Sequence, residues 1–408
     1  MQKLFFYKPL EWQHRHRLST IPILLTYFID QFGLAIVFFL FSPLVVNETF
    51  SIPLSLPERP VLAFFIILIF PLAQALGAPL FGSYSDIFGR KKIFLISIAG
   101  TILGNAIMGA AFYWNIFSWF LIGRLLAGFC AGNLTLCLAS LADISSNRNK
   151  VHNFSLLAAA GGLSYICAIV SGNVFANISP SFPFWMASIL GVINITFLFI
   201  FFKDLHRSKT SEPFGFLNII QSIERLFKSR HLNLLYLCFF FFMLTWTPSL
   251  QFLPKYLGQE FQFSEHQILI LMITLGLLWS LTNALLSHFS PLFSFRTLLR
   301  LLILLTCFLA LAGFLSTPSF FIAAFIITNI AAALTWTYLF VGISNQASLT
   351  IQGEVLGVSQ AIGSIAVLIG LELQQHLSAL FPHEYYLFAA GVIFLATLSA
   401  SLSRAKNI

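Results

Sequence analysis

Charged side chains are scarce in this sequence. Only 9% of its 408 residues are Asp, Glu, Lys or Arg, whereas 58% are hydrophobic. A soluble domain carries roughly 25% charged residues because its surface faces water. The composition therefore excludes a soluble globular protein. The apolar runs are continuous rather than alternating, which excludes a membrane β-barrel and predicts an all-α membrane protein.

Several kinds of chemical site are also missing. The sequence has no HExxH motif and no DD pair, which argues against a membrane-embedded enzyme acting on lipid. Without CxxC spacing, the five cysteines in apolar stretches predict neither a metal site nor a disulfide: Cys130, Cys137, Cys167, Cys238 and Cys307. No small-residue cleavage site follows the basic N-terminal stretch, so a cytoplasmic lead-in is expected rather than a cleaved signal.

Apolar runs long enough to cross a bilayer are abundant. Marking them between charged or Pro/Gly-rich breaks predicts twelve transmembrane helices, near 20–46, 61–81, 93–113, 117–140, 153–174, 183–202, 232–253, 266–287, 297–315, 319–341, 355–378 and 385–403.

The positive charges predict the orientation of these spans. If both termini are cytoplasmic, the outer segments hold only Arg59 and Lys255 of the 22 Lys and Arg residues, and Arg124 lies within a span. All the others then lie on the inner side, as the positive-inside rule requires. This distribution accounts for much of the net charge of +8, so a nucleic-acid partner is not expected.

The longest polar stretch divides the chain into two sets of six spans. We expect an N-terminal six-helix bundle over 1–202, a cytoplasmic linker over 203–231 and a C-terminal six-helix bundle over 232–408. Within the linker, Phe216–Phe227 is either an amphipathic surface helix or part of a solvated tether. Two linked halves suit a transporter whose site lies between rocking repeats.

The segment after the second span carries the most specific motif. It contains Gly82, Asp86, Gly89 and Arg90, followed by two lysines, and Gln74, Gly77 and Pro79 precede it. This pattern resembles the signature loop of the major facilitator superfamily, G-x-x-x-D-x-x-G-R-[RK]-[RK]. The resemblance implies two pseudo-symmetric six-helix bundles and transport of a solute.

An acidic residue at the end of span four extends this resemblance. Asp143 ends a segment similar to the A-x-x-A-D ending of drug-efflux members, where the acid meets the signature arginine. The resemblance implies that Asp86, Arg90 and Asp143 form a conformational latch that breaks as the halves rock. The alternative is a static surface ion pair.

Arg124 lies within an apolar run and begins an R-x-x-x-G-x-x-x-G pattern with Gly128 and Gly132. This pattern resembles the fourth-span motif associated with proton coupling in the superfamily. An intramembrane arginine is costly and is normally paired or faces a water-filled cavity. The alternative is that Arg124 reaches the outer interface.

Asp30 is the other charged residue well inside a span. With Gln31, Gly33 and Pro43 it is similar to the first-span pattern of tetracycline-type antiporters, although the family spacing to the proline is shorter. A desolvated carboxylate can exchange a proton as a cavity opens to each side. Structural pairing near the cytoplasmic end is the alternative.

Two other segments bear on the direction of transport. The fifth span carries Gly161, Gly162 and Gly172 for close helix packing but lacks the proline of antiporters. The segment that begins Gln352-Gly353-Glu354 resembles the Q-G-E-x-x-G segment of tetracycline efflux proteins. The second-half counterpart of the signature loop, Ser287–Arg296, has no aspartate or glycine.

Polar and aromatic residues in other spans are candidates for a solute cavity, because aromatic faces suit hydrophobic or cationic solutes: Gln31, Trp246, Gln251, Asn283, Asn329 and Trp336. Packing of these side chains is the alternative. Glu372 is either an interfacial residue or a second titratable group.

The function expected is secondary active transport, not enzyme catalysis: proton-coupled efflux of a small drug-like solute by alternating access, without a cofactor. Nutrient uptake is the first alternative, and a membrane sensor or scaffold is the second. The expected partners are the solute, protons and lipid, and the unit is a monomer. A bacterial plasma membrane is the expected location, so the glycosylation sequons at Asn47 and Asn177 are expected to be unused.

Overall fold

The computed structural model describes residues 20–33, 35, 59–146, 149–176, 179, 181–202, 204, 224, 226–289, 292–315, 317–380, 382 and 384–404. Some features singled out in the sequence lie outside these residues. They are the N-terminal lead-in, Pro43, the sequon at Asn47, the first two residues of the sequon at Asn177, and most of the linker.

Every regular element in this described part of the chain is an α-helix. The helices are α1 (20–33), α2 (Arg59–Phe88), α3 (Arg90–Trp114), α4 (Phe117–Cys130), α5 (Asn133–Ile144), α6 (Lys150–Ala176), α7 (Phe182–Phe201), α8 (Arg230–Glu260), α9 (Glu265–Phe289), α10 (Phe295–Phe314), α11 (Pro318–Asn345), α12 (Gln352–Leu380) and α13 (Glu384–Arg404).

Within the described residues, ten helical segments are long and apolar enough to cross a membrane, with α4 and α5 counted together as one segment. Large apolar side chains also remain on the outside of the molecule. Leu76, Ile189 and Phe199 each expose more than 60% of their surface, which favours contact with lipid over contact with water. The chain is a multi-pass membrane protein, as the composition predicts.

Two seams join the first half of the chain (α1–α7) to the second (α8–α13). At one seam α2 packs along α12, and at the other α6 packs along α9. Within the halves, α3 packs on α4 and α7, and α10 packs on α11 and α13. We call the side of the molecule where α2 ends and α3 begins the signature side. The ends of α5 and α9 and the starts of α6 and α12 lie on that side.

The signature segment is helical rather than a loop, which corrects the expectation from the sequence. α2 continues through Asp86 to Phe88, and only Gly89 interrupts the helices, with a backbone φ of 92° that glycine adopts without steric cost. Gly82 serves close packing instead of a turn, because a β-carbon there would collide with the carbonyl oxygen of Gly353 in α12.

The predicted span 117–140 is also not a single helix. α4 ends at Cys130 and α5 begins at Asn133, and side chains from neighbouring helices bind the carbonyl groups that this break frees. The span predicted to end at residue 253 is longer than expected, because α8 accommodates Pro248 and Pro254 and continues to Glu260.

The crossing of α3 and α4 depends on two glycines that face each other. A β-carbon on Gly104 would lie 2.8 Å from the carbonyl oxygen of Gly123, and one on Gly123 would lie 2.7 Å from that of Gly104. Gly104→Ala should therefore lower the free energy of unfolding by about 1–3 kcal/mol, because backbone must move to admit the methyl group. Thermal unfolding in detergent measures this effect.

Gly391→Ala is the matched control, since nothing lies within 4 Å of a β-carbon at that position in α13. Alanine favours a helix over glycine by about 1 kcal/mol, so this variant should be neutral or slightly more stable. Equal destabilisation by both substitutions would contradict the proposed role of the α3/α4 crossing.

Candidate functional site

Arg90 is the centre of a buried ionic cluster on the signature side. Its Nε donates to Asp143 Oδ2 at 2.8 Å, and its Nη1 lies 2.6 Å from Asp86 Oδ1. Nη1 also donates to Ser85 Oγ at 2.5 Å. Only 1% of Arg90 is exposed. The cluster ties α2, α3 and α5 together, and the charges satisfy one another away from water.

Asp86 extends this cluster into the second half of the chain. Its two carboxylate oxygens accept the backbone N–H groups of Gly353 and Glu354 at 3.0 and 2.8 Å. These N–H groups belong to the first turn of α12 and have no partner within their own helix. A carboxylate is also favoured there by the helix dipole. The α2/α12 seam is therefore closed on the signature side by a charged cap.

The α6/α9 seam is closed by neutral hydrogen bonds. Trp279 Nε1 donates to the Ala158 carbonyl at 3.1 Å, and Ser280 Oγ donates to the Ala159 carbonyl at 3.0 Å. His152 Nδ1 lies 2.8 Å from the carbonyl oxygen of Ser287. With both seams joined, the described part of the molecule is closed on the signature side.

Asp30 lies beside a small cavity in the first half. The cavity is lined by residues of α1 to α4, namely Ile29, Asp30, Gly33, Phe70, Thr101, Asn105, Met108 and Ala127. Asn133 Nδ2, at the start of α5, donates to Asp30 Oδ1 at 3.0 Å. Asp30 therefore combines a hydrogen bond with a position at the edge of a small cavity, whose other lining residues are mostly apolar.

Arg124 is fully buried in α4 and does not reach an interface. Its guanidinium carbon lies 4.7 Å from the centre of the Phe70 ring, which is a cation–π contact. None of its three side-chain nitrogens has a hydrogen-bond partner among the described residues. The alternative of an arginine that reaches the outer interface is therefore wrong.

The predicted packing glycines lie at helix contacts. Four of them leave no free space for a β-carbon: Gly128 faces Phe70, Gly132 faces Phe81, Gly161 faces the ring of Tyr27, and Gly162 faces Trp279 and Ser280. Gly172 is buried in α6. Since Gly162 lies in the α6/α9 seam, the missing fifth-span proline does not prevent close contact between the halves.

The predicted cavity residues do not line the cavity beside Asp30. Asn283 donates to the Trp279 carbonyl and accepts from Thr337, and Asn329 donates to the Leu275 carbonyl. The two tryptophans are buried in ring contacts: Trp246 stacks on Trp279 and Phe325, and Trp336 contacts Tyr27 and Phe340. Gln31 and Gln251 are partly buried. Glu372 is exposed and pairs with His376.

Sequence reasoning missed three polar residues that connect the helices around the break in span four. These are Gln74, which belongs to the signature motif, and Asn133 and Gln360, which belong to no motif. Both Gln74 and Gln360 donate to the carbonyl of Ala131. The available signal is chemical, because an amide side chain within an apolar span needs a partner inside the protein.

The fold and the site together define a membrane transporter of two packed helical halves. A family model described as Major Facilitator Superfamily matches residues 23–371. The chain therefore belongs to the major facilitator superfamily, whose members are transporters of small solutes and not enzymes.

Several relatives support this membership. A class H tetracycline resistance protein of Pasteurella multocida is 27% identical over 192 residues, which cover 46% of this chain and 45% of the relative. The chain thus spans less than half the length of that curated relative. Major facilitator superfamily domain-containing protein 10 of Mus musculus is 22% identical over 325 residues, covering 74% of this chain and 69% of the relative.

Solved structures share the fold. The crystal structure of the human organic anion transporter MFSD10 superposes with a TM-score of 0.82 at 20% identity, covering 96% of this chain and all of that one. The proton:xylose symporter XylE superposes with a TM-score of 0.75 at 14% identity, covering 95% of each chain.

The cap that Asp86 places on α12 should hold the signature side closed. Asp86→Asn removes the charge and one of the two strong acceptors, so we expect the closed state to lose about 1–3 kcal/mol. The measurement is the distance between spin labels at the exposed positions Ser146 and Ser348, one in each half, after replacement of the native cysteines. The variant should populate longer distances.

Asp204→Asn is the matched control. Asp204, which follows α7 at the start of the linker, accepts the backbone N–H of Lys91 at 3.0 Å and so caps α3 of the first half. Its substitution should leave the label distance unchanged. If both variants lengthened the label distance equally, loss of either carboxylate would be destabilising the protein as a whole, and the cap on α12 would not be what holds the seam closed.

Proposed function

We propose that this protein is a proton-coupled exporter of a small drug-like solute that works by alternating access. The observation that carries the proposal is the hydrogen-bonded carboxylate of Asp30 beside a cavity, on the same half as the ionic cluster. The tetracycline resistance relatives support export, and the resemblance of the Gln352-Gly353-Glu354 segment to tetracycline efflux proteins supports it further.

The proposed architecture is twelve spans in two pseudo-symmetric bundles, 1–202 and 232–408, joined by the linker 203–231. In this arrangement the signature side is cytoplasmic, which agrees with the Lys and Arg distribution. Both termini then lie in the cytoplasm of a bacterial cell, and the functional unit is a monomer without a nucleic-acid partner. With this orientation, the closed signature side described above is the side that faces the cytoplasm in the proposed cycle.

In the proposed cycle, the Asp86, Arg90 and Asp143 cluster is the latch of that closed state. Asp30 takes up a proton on the outer side and releases it on the inner side. Arg124 is the second coupling residue, because a buried guanidinium that has no hydrogen-bond partner among the described residues can stabilise a carboxylate or a solute anion that another state brings to it. The energy source is the proton gradient, and no cofactor takes part.

Uptake of a small nutrient is the second candidate function. The missing fifth-span proline and the fold shared with a proton:xylose symporter favour it. The organic anions named for the human MFSD10 structure widen the solute classes to be tested. Counterflow with a panel of tetracycline, organic anions, sugars and amino acids, in inverted and right-side-out vesicles, distinguishes export from uptake.

Asp30→Asn should abolish gradient-driven transport in proteoliposomes, with at least a ten-fold loss of the initial rate, because the amide cannot carry a proton. The transported solute is first identified by tolerance of an overexpressing strain to a panel of toxic compounds. Solute counterflow without a gradient should persist in the variant, because exchange of solute for solute does not require Asp30 to carry a proton.

Glu372→Gln is the control for the loss of a carboxylate. Glu372 is exposed and paired with His376 near the far end of α12, so proton-driven transport should be retained. If Asp30→Asn kept its gradient dependence, Asp30 would not be the coupling residue.

A further inference from the structure

The helix of span four is interrupted at a point where a side chain from the other half of the molecule enters it, and we call this interrupted state the opened form. In a continuous helix the Thr135 N–H would donate to the Ala131 carbonyl, four residues earlier. Here the amide of Gln360, on α12, lies between them. Its Nε2 donates to the Ala131 oxygen at 3.0 Å, and its Oε1 accepts the Thr135 N–H at 3.1 Å. Gln360 thus takes the place of one helical hydrogen bond.

The amide bridge is part of a larger set of hydrogen bonds at the opening. The Thr135 hydroxyl also donates to Gln360 Oε1. Gln74 Nε2 gives the Ala131 oxygen a second hydrogen bond at 3.1 Å, and Gln74 Oε1 accepts from Ser364, one turn after Gln360. Unpaired backbone groups are costly inside a bilayer, so this opening is stable only while α12 remains against α5.

The other side of the same break holds Asp30. Asn133 is the first residue of α5, and it presents Nδ2 to Asp30 at 3.0 Å. Its Oδ1 lies 2.7 Å from Ser97 Oγ, which also lies 2.5 Å from the Cys130 carbonyl oxygen. One interruption of the helix therefore joins the proposed proton carrier to the contact between the halves.

We propose that span four alternates between this opened form and a continuous helix, and that Gln360 is the positioning residue that couples the halves to Asp30. When α12 leaves the α2/α12 seam, the Ala131 carbonyl and the Thr135 N–H close their own helical hydrogen bond. The closure turns α5 and withdraws Asn133 from Asp30. This inference deepens the proposed function and rests on it for the role of Asp30.

The hydrogen bond from Asn133 to Asp30 determines which protonation state of Asp30 goes with which form of span four. An amide N–H stabilises a carboxylate more than a neutral carboxyl group, so the opened form favours ionised Asp30 and the continuous form favours protonated Asp30. Among the described residues, the titratable groups close enough to Asp30 to interact with its charge are Tyr27 on its own helix and Cys137 on α5. α2 and α3 face its cavity with Phe70, Thr101 and Asn105, and the charged side chain of Arg124 on α4 lies over Phe70. Protonation of Asp30 therefore favours opening of the signature side.

The test substitutes Gln360→Met, which keeps the length of the side chain but cannot form the bridge. One spin-label pair, Ser146 and Ser348, reports separation of the halves, and a second pair, Ser118 and Ser146, spans α4 and α5 and reports the break itself. Loss of three hydrogen bonds should raise the ratio of open to closed molecules by about ten-fold or more. Both pairs should change together.

Ser364→Ala is the matched control, because it removes one hydrogen bond on the same face of α12 and leaves the bridge intact. It should move both pairs clearly less than Gln360→Met does, because one hydrogen bond is lost instead of three. Gln360→Asn is a second variant that keeps a polar group but is too short to reach both partners. If the purified Gln360 variants unfold like the unmodified protein but keep both label distances, the inference is overturned.

The link to Asp30 is tested by a double-mutant cycle. Asp30→Asn alone, as a neutral substitute for the protonated acid, should shift the Ser118 and Ser146 pair toward the continuous form. In the Gln360→Met background it should add little, whereas two independent sites would give additive shifts. These measurements need no solute. An absence of transport would therefore overturn the proposed function and leave the coupling between Gln360 and Asp30 intact. Additive shifts would overturn that coupling and leave the proposed function intact.

Discussion

Every backbone amide and carbonyl group that lies within a bilayer must find its hydrogen-bond partner inside the protein. This constraint explains why the described residues form almost continuous helices and why two irregular points near the site are each met by a specific side chain. At the start of α12 the carboxylate of Asp86 supplies the missing acceptors, and at the break in span four the amide of Gln360 supplies both a donor and an acceptor. The polar residues that position the site are therefore also the residues that make its irregular backbone possible.

The two seams meet this constraint with different chemistry. The α2/α12 seam uses an ionised cluster and an amide bridge, whereas the α6/α9 seam uses Trp279 and Ser280 as neutral donors to carbonyl groups within α6. The absence of an aspartate from Ser287–Arg296 agrees with this difference. The charged groups of the α2/α12 seam lie at its signature-side end and can be hydrated when the seam opens. The Ala131 carbonyl and the Thr135 N–H lie further from that end and must instead form a hydrogen bond with each other.

The helical membrane class follows from composition, because long apolar runs are a local property. The proximity of Arg90 to Asp86 and Asp143 was expected only from the resemblance to the major facilitator superfamily. The sequence did not indicate that Gly82 is helical, since a glycine signals a turn and a close helix crossing equally well. The break in span four was also missed. Its cause, Gln360, lies 225 residues from Thr135, and no local pattern reports which side chain enters a distant helix.

Arg124 and Asp30 illustrate a further limit of local reasoning. Both are charged residues in apolar runs, and the sequence alone assigns them the same cost. Their surroundings differ, because Asp30 has Asn133 and a small cavity, whereas Arg124 has the face of Phe70 and no hydrogen bond among the described residues. A guanidinium stabilised only by an aromatic ring retains unused donors. A state that moves Phe70 would present those donors to the cavity that Phe70 and Asp30 both line, and the charge balance of that cavity would then depend on whether Asp30 carries a proton.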